Sequence, residues 1–292
     1  MRVSESLMFQ RMARSASNSS SLLDEVSEPL FAGKNLVRPS DNPLEAQRLL
    51  RTQRAMRRAD QHNSSVSRVR VYHQLVETTV SNVTDVLQDL QQLAVQFAND
   101  SYDIDERQVG APHAIQLMDN LQSLANSQFG GRFIFAGRLQ DQPAYDAANN
   151  FQGDPTVRKV RIADQETIDA DVTGPTVFGP AGATAFDAVQ SLVTALNAND
   201  TAGIQAAIDL LNTAHQRAVT ARSGVGYHLV ELQRTENANE DEIMTHKIAE
   251  GAINDVDIGK AASEMTFAEH VYQASIQTSK RLAQVLESQN QL

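Results

Sequence analysis

Residues 44–99 contain neither proline nor glycine, and no other feature of the sequence constrains the fold as strongly. Apolar side chains recur in this stretch at spacings of mostly three, four or seven residues, which predicts one helix with a coiled-coil-like seam. The seam residues are Val66, Val69, Tyr72, Val76, Val80, Val83, Leu87, Leu90 and Phe97. At 1.5 Å per residue this helix would be about 85 Å long, which few compact domains can hold.

A polar segment marks where the long helix begins. Asn42 or Asp41 can cap its first turn. Pro43 follows, at a position where its missing N–H costs nothing. Glu45 stands three residues after Asn42, as a capping box requires. These residues predict a helix that begins at about Pro43.

Both ends of the chain also show helical periodicity. We predict one terminal helix over about residues 1–32, which Pro29 should end or kink, and another over about 258–292, capped by Asp257. Their apolar faces are suited to packing against partner proteins. They have few large apolar seam residues that could stabilise them in isolation. The candidate interface residues are Val3, Leu7, Met8, Met12, Leu22, Val26, Ile258, Met265, Tyr272, Leu282 and Leu286.

Shorter helices are expected between these elements. One should run to about Ser127 and carry Pro112 in its first turn. Helical periodicity returns after Gly182. Gly224 and Gly226 are expected to interrupt it, so that a further long helix begins near Val225.

Residues 131–181 differ in character from the rest of the chain. They contain five glycines and four prolines, with short β-like runs at 133–135, 157–162 and 167–172. The last two runs flank residues 163–166, which form a plausible hairpin loop. The stretch therefore reads as a small β-rich insertion between helices.

The predicted fold is mainly α: a long antiparallel helical rod or coiled-coil bundle with paired terminal helices and a small β-rich insertion domain at its tip. We expect three domains. Residues 1–41 and 253–292 would form an inner domain of terminal helices, residues 42–130 and 182–252 a helical rod, and residues 131–181 an outer insertion.

Charge is distributed unevenly along the chain. The whole chain carries −11, yet residues 1–70 carry +5 and residues 223–292 carry −6. Opposite charge at the two ends favours their lying side by side. The acidic total argues against a general nucleic-acid binder. One basic stripe, Arg48, Arg51, Arg54, Arg57 and Arg58, leaves open either phosphate binding or a solvated, subunit-facing helix surface.

No catalytic or metal motif emerges from the sequence. The chain has no cysteine, which removes disulfides, thiol nucleophiles and cysteine-based metal sites. An acidic cluster is formed by Asp100, Asp103, Asp105 and Glu106. Its spacing favours a solvated turn before a helix over a metal site. No apolar run reaches the roughly 18 residues of a membrane span. We expect no enzyme activity, cofactor, nucleic acid or membrane partner.

Seven short motifs resemble those of the flagellin superfamily. They lie at residues 1–4, 32–34, 38–43, 93–99, 130–137, 151–154 and 255–257. The motif Gly-Gly-Arg-Phe-Ile-Phe-Ala-Gly at 130–137 is the most discriminating, because it is similar to the hook–filament junction proteins more than to filament flagellins. The likeness covers roughly residues 1–175 and 223–292.

The resemblance implies a structural subunit of the bacterial flagellum at the junction between hook and filament. It implies export through the flagellar type III apparatus without a cleaved signal peptide, and an extracellular location. The implied partners are further copies of the chain, the other hook-associated junction protein, flagellin and an export chaperone. Two alternatives stay open: a filament flagellin, or a cytosolic coiled-coil scaffold or nucleic-acid-binding protein that uses the arginine stripe. A rod-shaped enzyme with an unrecognised carboxylate site is the least favoured.

Overall fold

The computed structural model describes residues 2–99 and 102–289, with the side chains of residues 7–8, 10–99 and 102–284. Helices dominate, as predicted. The helices are α1 (Arg2–Ala32), α2 (Pro43–Phe97), α3 (Ile104–Ala125), α4 (Gly174–Phe178), α5 (Ala185–Asn197), α6 (Thr201–Asn254) and α7 (Ile258–Gln289). The strands are β1 (Gln128–Phe129), β2 (Arg132–Phe133), β3 (Lys159–Arg161) and β4 (Thr167–Asp169).

The chain divides into two compact units. The terminal unit comprises Met1–Arg58 and Glu242–Leu292, and the central unit comprises Ala59–Asp241. Helices α2 and α6 each contribute residues to both units. The four strands all belong to the central unit.

The predicted start of α2 is confirmed. Asn42 is its cap, since its side-chain oxygen accepts the Glu45 N–H at 3.2 Å. Asp41 instead accepts the Arg38 N–H at 2.9 Å, which closes the turn before the helix. The Glu45 carboxylate turns away to pair with Arg48 at 2.9 Å. The 55-residue helix that follows contains the whole predicted seam.

Of the two effects predicted for Pro29, one does not occur, because the proline does not end the first helix. Helix α1 continues through it to Ala32, the predicted end of this terminal helix. Gly33 ends the helix with a φ of +66°, and the Lys34 N–H donates to the Pro29 carbonyl at 3.2 Å. This is the 6→1 bond with which a Schellman motif closes a helix.

Pro112 does not lie in a first turn either. Helix α3 begins at Ile104, so that Pro112 falls in its third turn. The early start is due to a capping box: Asp103 accepts the Glu106 N–H at 2.8 Å, while Glu106 accepts the Asp103 N–H at 3.1 Å. The acidic cluster before α3 thus includes the two side chains that start this helix.

Gly224 and Gly226 do not interrupt the helical pattern. Helix α6 passes through both as part of one 54-residue element. A glycine inside a helix costs only about 1 kcal/mol relative to alanine. Burial of neighbouring residues on the inner face, among them Ala218 and Val225, supplies the packing that outweighs this cost.

Two antiparallel hairpins accompany the helices of the central unit. In the first, β1 and β2 are joined by Gly130 and Gly131, both at positive φ, as a tight type I′ turn requires. In the second, β3 pairs with β4 around the predicted loop at 163–166, with Val160 opposite Ile168.

The second hairpin packs along the flank of the helices instead of forming a tip beyond their ends. Ile162 and Ile168 pack into an apolar cluster with Val66, Val69 and Leu232. The buried Asn239 amide donates to the Ile162 carbonyl at 3.1 Å. The strands therefore cover α2 and α6 within the central unit.

Side-chain bonds show that α2 and α6 run antiparallel in the central unit. Arg70 pairs with Glu236 at 2.5 Å, Glu77 with Arg222 at 2.8 Å, and Gln91 bonds Asn212 at 3.0 Å. Residue numbers rise on one helix as they fall on the other. The predicted pairing of the inner long helices is thus observed here.

A buried arginine closes the far end of this helical group. Arg107 donates to the carbonyls of Phe97 and Asn99 and to the side chain of Asn199. A cation at the carbonyl end of α2 satisfies groups that the helix itself leaves unpaired. Arg107 thereby ties α2, α3 and the turn before α6 together.

Candidate assembly interface

The terminal unit pairs α1 with α7, as the sequence predicted. Beyond the end of α1, the Asn35 N–H donates to the Asn254 carbonyl at 2.7 Å, and its side-chain amide donates to the Asp255 carbonyl at 3.1 Å. Asp257 then starts α7 by accepting the Lys260 N–H at 3.1 Å. The end of α1 is thus fastened beside the turn between α6 and α7.

The seam of the terminal unit is thin. Among its described side chains, only small ones are buried: Ser19, Ala46, Asn254, Ala261 and Ala268. The Ser19 hydroxyl bonds back to the Ser15 carbonyl of its own helix at 2.8 Å, so it adds no bond between helices. Small residues let helices approach closely but remove little apolar area from water.

The predicted interface residues lie on this helix pair with varied exposure. Four are exposed to solvent: Leu7, Met8, Leu22 and Ile258. Five are half-buried: Met12, Val26, Met265, Tyr272 and Leu282. The side chains of Val3 and Leu286 lie outside the described residues. Some apolar residues of the α1–α7 pair are therefore partly buried, and others are exposed to solvent.

Leu22 shares a shallow groove with a residue of α7. The groove is lined by Arg11, Arg14, Ser15, Asn18, Ser19, Leu22 and Val271. The two arginines at its rim place part of the basic N-terminal charge there. Apolar and charged groups thus meet on one face of the pair.

Sequence reasoning missed a second set of exposed apolar side chains in the terminal unit. They are Phe31, Leu44, Leu50, Met244, Ile248 and Phe267. Phe31 is 79% exposed and Phe267 is 67% exposed. Met244 and Ile248 lie four residues apart on α6, so their spacing alone could have indicated an apolar face on this helix.

The arginine stripe lies in the terminal unit on α2. Arg51, Arg54 and Arg57 are exposed, and Arg48 pairs with Glu45. Two ion pairs of this unit lie close in sequence and do not join α1 to α7: Arg38 bonds Glu28 at 2.9 Å, and Lys260 approaches Glu264 on its own helix. The opposite charges of the two chain ends add a general attraction to the small apolar seam.

No described cluster of three or more potential metal-ligating side chains exists. The strongly perturbed titratable groups lie in the central unit. Burial lowers the pKa of His73 to about 4, and its ring N–H donates to the Asp169 carbonyl at 3.0 Å. Burial raises the pKa of Tyr72 and of Tyr145. His73 and Tyr72 thus serve the packing of the strands, since Tyr72 also donates to the Ile134 carbonyl at 2.5 Å.

None of the described helices is long and apolar enough to cross a membrane. The surfaces that stand out in the terminal unit are exposed apolar helix faces beside charged residues. Such faces are typical of subunits that bury them against other proteins.

Residues 3–140 match the model of the bacterial flagellin N-terminal helical region. The predicted resemblance is thereby confirmed. Flagellar hook-associated protein 3 of Salmonella typhimurium is 24% identical to the chain over 307 aligned residues, covering 95% of this chain and 96% of that protein.

Several solved structures share the fold, and two of them illustrate the likeness. One is a flagellar hook-associated protein of Vibrio parahaemolyticus, with a TM-score of 0.68 and 20% identity over 74% of this chain and all of that one. The other is the flagellar junction protein FlgL of Legionella pneumophila, with a TM-score of 0.60 and 14% identity over 71% of this chain and 99% of that one. At these identities the structures speak for the fold alone.

Proposed function

We propose that this chain is a structural subunit of the bacterial flagellum at the junction between hook and filament. The observation that supports this proposal most strongly is the similarity to flagellar hook-associated protein 3, which extends over nearly the full length of both chains. The match to the flagellin helical region supports a flagellar subunit more generally. The role is structural, without catalysis or a cofactor.

The paired terminal helices are the proposed assembly surface. Their thin seam leaves Leu7, Met8 and Ile258 exposed, and neighbouring subunits would bury these side chains. Association then supplies the apolar burial that the isolated pair lacks. The three-domain division, with residues 1–41 and 253–292 as the inner domain, belongs to this proposal.

The proposed partners follow from the same role. Further copies would complete one layer, the other hook-associated junction protein would lie on the hook side, and flagellin on the filament side. An export chaperone would hold the chain before secretion. The proposed location is extracellular, reached without a cleaved signal peptide.

The test is the position of the chain on flagella. In a strain that lacks the native gene and expresses a tagged copy, immunogold electron microscopy should label one short zone between hook and filament. Labelling along the filament would indicate a flagellin instead, and a cytosolic pool bound to DNA would support the scaffold alternative.

One variant tests the proposed surface. Replacing Leu7 and Met8 with serine should abolish assembly while secretion and the fold of the central unit persist. Val230→Ser is the matched control, because Val230 is 71% exposed but lies in the central unit. Normal filaments from the double variant would exclude these residues from the interface.

A further inference from the structure

The central unit carries a groove that the proposed assembly surface does not use. It lies between the two hairpins and one face of α2 and has a volume of about 650 Å³, within the range of protein ligand sites. Its apolar walls are formed by Val69, Tyr72, Phe129, Phe133, Val160 and Ala170. Phe129 is still 44% exposed, so the groove is open to a partner.

Arginines are part of the lining of this groove. Arg68, Arg132 and Arg158 line it, and the last two also line an adjoining polar pocket with Arg138. The buried Asp171 holds Arg158 at 3.1 Å, and Asp141 also lines the pocket.

The charge around the groove is positive on balance. Within the described part of the chain, Arg132 and Arg138 form no salt bridge. Asp154 also interacts electrostatically with Arg138, so four guanidinium groups face three carboxylates, on a chain whose total charge is −11. A protein surface that is apolar and acidic would complement this groove.

The first turns of α3 are such a surface. Ile104 is 46% exposed and Val109 is 73% exposed. At 100° per residue, Ile104, Asp105 and Val109 fall within one arc of about 140° on the helix. Asp103 and Glu106 are occupied in the capping box, whereas Asp105 is exposed and available to a partner.

We propose that the first turns of α3 in one copy of the chain dock into the hairpin groove of a neighbouring copy. Ile104 and Val109 then lie on the apolar walls, and Asp105 faces Arg132 and Arg138. This deepens the proposed function, because it requires that copies assemble. The two surfaces differ, so the contact is head-to-tail and repeats from copy to copy around a layer.

Cysteine cross-linking tests the contact, because the full chain has no cysteine of its own. A variant with Val109→Cys and Phe129→Cys should form disulfide-linked multimers on assembled flagella under mild oxidation. The matched control pairs Val109→Cys with Val230→Cys, because Val230 is 71% exposed against 44% for Phe129 but is not part of the groove lining. We expect at least tenfold more cross-linked chain from the first pair.

Charge reversal supplies a second readout. In the Val109→Cys, Phe129→Cys background, Asp105→Arg or Arg132→Asp alone should reduce cross-linking at least fivefold, and both together should restore it. Both side chains are exposed, and circular dichroism checks that each variant folds. Cross-linking equal to the control pair, or no restoration in the double reversal, overturns the proposal.

Two further outcomes separate the docking from the proposed function. Immunogold label at the junction without copy-to-copy cross-links overturns the docking and leaves the junction role intact. Cross-links from Phe129→Cys to a different flagellar protein overturn the choice of a second copy as occupant. Absence of the wild-type chain from the junction would contradict the proposed function itself.

Discussion

The two units of this chain differ in the size of the side chains that they bury. In the central unit, large side chains such as Leu87, Phe135 and Phe178 are completely buried, and Phe178 stacks on Phe186 at 5.6 Å between ring centres. In the terminal unit, the described buried side chains are no larger than asparagine. One unit carries its own hydrophobic core, and the other presents apolar residues to its surroundings.

This contrast separates folding from assembly along a single chain. A core of large side chains stabilises the central unit before any partner is met. A seam of alanine and serine cannot offset the entropy of ordering two helices of 31 and 32 residues to the same degree. The terminal helices should therefore gain most of their stability when other subunits cover them.

The largest expected difference between the units is in amide hydrogen exchange of the free monomer. Amides of α1 and α7 should exchange with opening free energies near zero, while those of α2 between Val66 and Phe97 should approach the global unfolding free energy of about 5–15 kcal/mol. The physical reason is the thin seam. Exchange monitored by mass spectrometry on a verified monomer gives both values in one experiment.

Assembled flagella serve as the control, because α1 and α7 should become protected there. Strong protection of residues 7–26 and 261–284 in the monomer would contradict the comparison, since it would mean that the small seam suffices. Fast exchange in both units of the monomer would mean that the central core does not fold alone.

Much of this contrast could be predicted from the sequence, because periodicity reports the inner face of a helix directly. All nine predicted seam residues fall within α2, and Val66, Val80 and Leu87 among them are completely buried. Glycine was misleading where packing outweighs local preference, as at Gly224 in α6. Exposed residues such as Phe267 escaped notice because exposure depends on what lies opposite a helix, which no single-helix pattern encodes.

The central unit should also respond to acid through one histidine. His73 is fully buried, its ring lies 5.3 Å from that of His228, and burial lowers its pKa from 6.5 to about 4. Between these values the unfolded state binds more protons, so acid favours unfolding. Stability is complete above about pH 6.5 and should fall by roughly 2–3 kcal/mol as the pH drops toward 4.

Urea unfolding at a series of pH values measures this effect. His73→Gln should flatten the difference between pH 6.5 and pH 4, although its stability at pH 7 is lower because the bond to the Asp169 carbonyl is weakened. His270→Gln is the control, because His270 is exposed in the terminal unit. A wild-type slope that survives in His73→Gln would assign the acid sensitivity to other groups.

The candidate surfaces were less predictable than the helices. The docking groove requires α2 to meet residues 129–133 and 158–170, which the chain brings together only through the two hairpins. The sequence predicted a separate insertion, because glycine and proline mark turns without showing where the strands pack. The role of Arg107 was not predicted for the same reason. Its partner Phe97 lies ten residues away at the end of α2, and its partner Asn199 lies 92 residues away before α6.

The smallest expected effect comes from two glycines that act in opposite directions. Gly224 lies inside α6, and no neighbouring atom comes within 4 Å of the place where an alanine methyl group would lie. Gly224→Ala should therefore stabilise the central unit by about 0.5–1 kcal/mol through the entropy of the unfolded chain. For a unit of this size, that raises the melting temperature by about 1–4 °C.

Gly33 has a φ of +66°, so Gly33→Ala strains the end of α1. If the terminal unit contributes little to the monomer, Gly33→Ala should leave the calorimetric melting temperature of the monomer unchanged and weaken only the assembled state. A drop of several degrees in the monomer would show instead that the terminal unit unfolds together with the central core, and the separation of folding from assembly would fail.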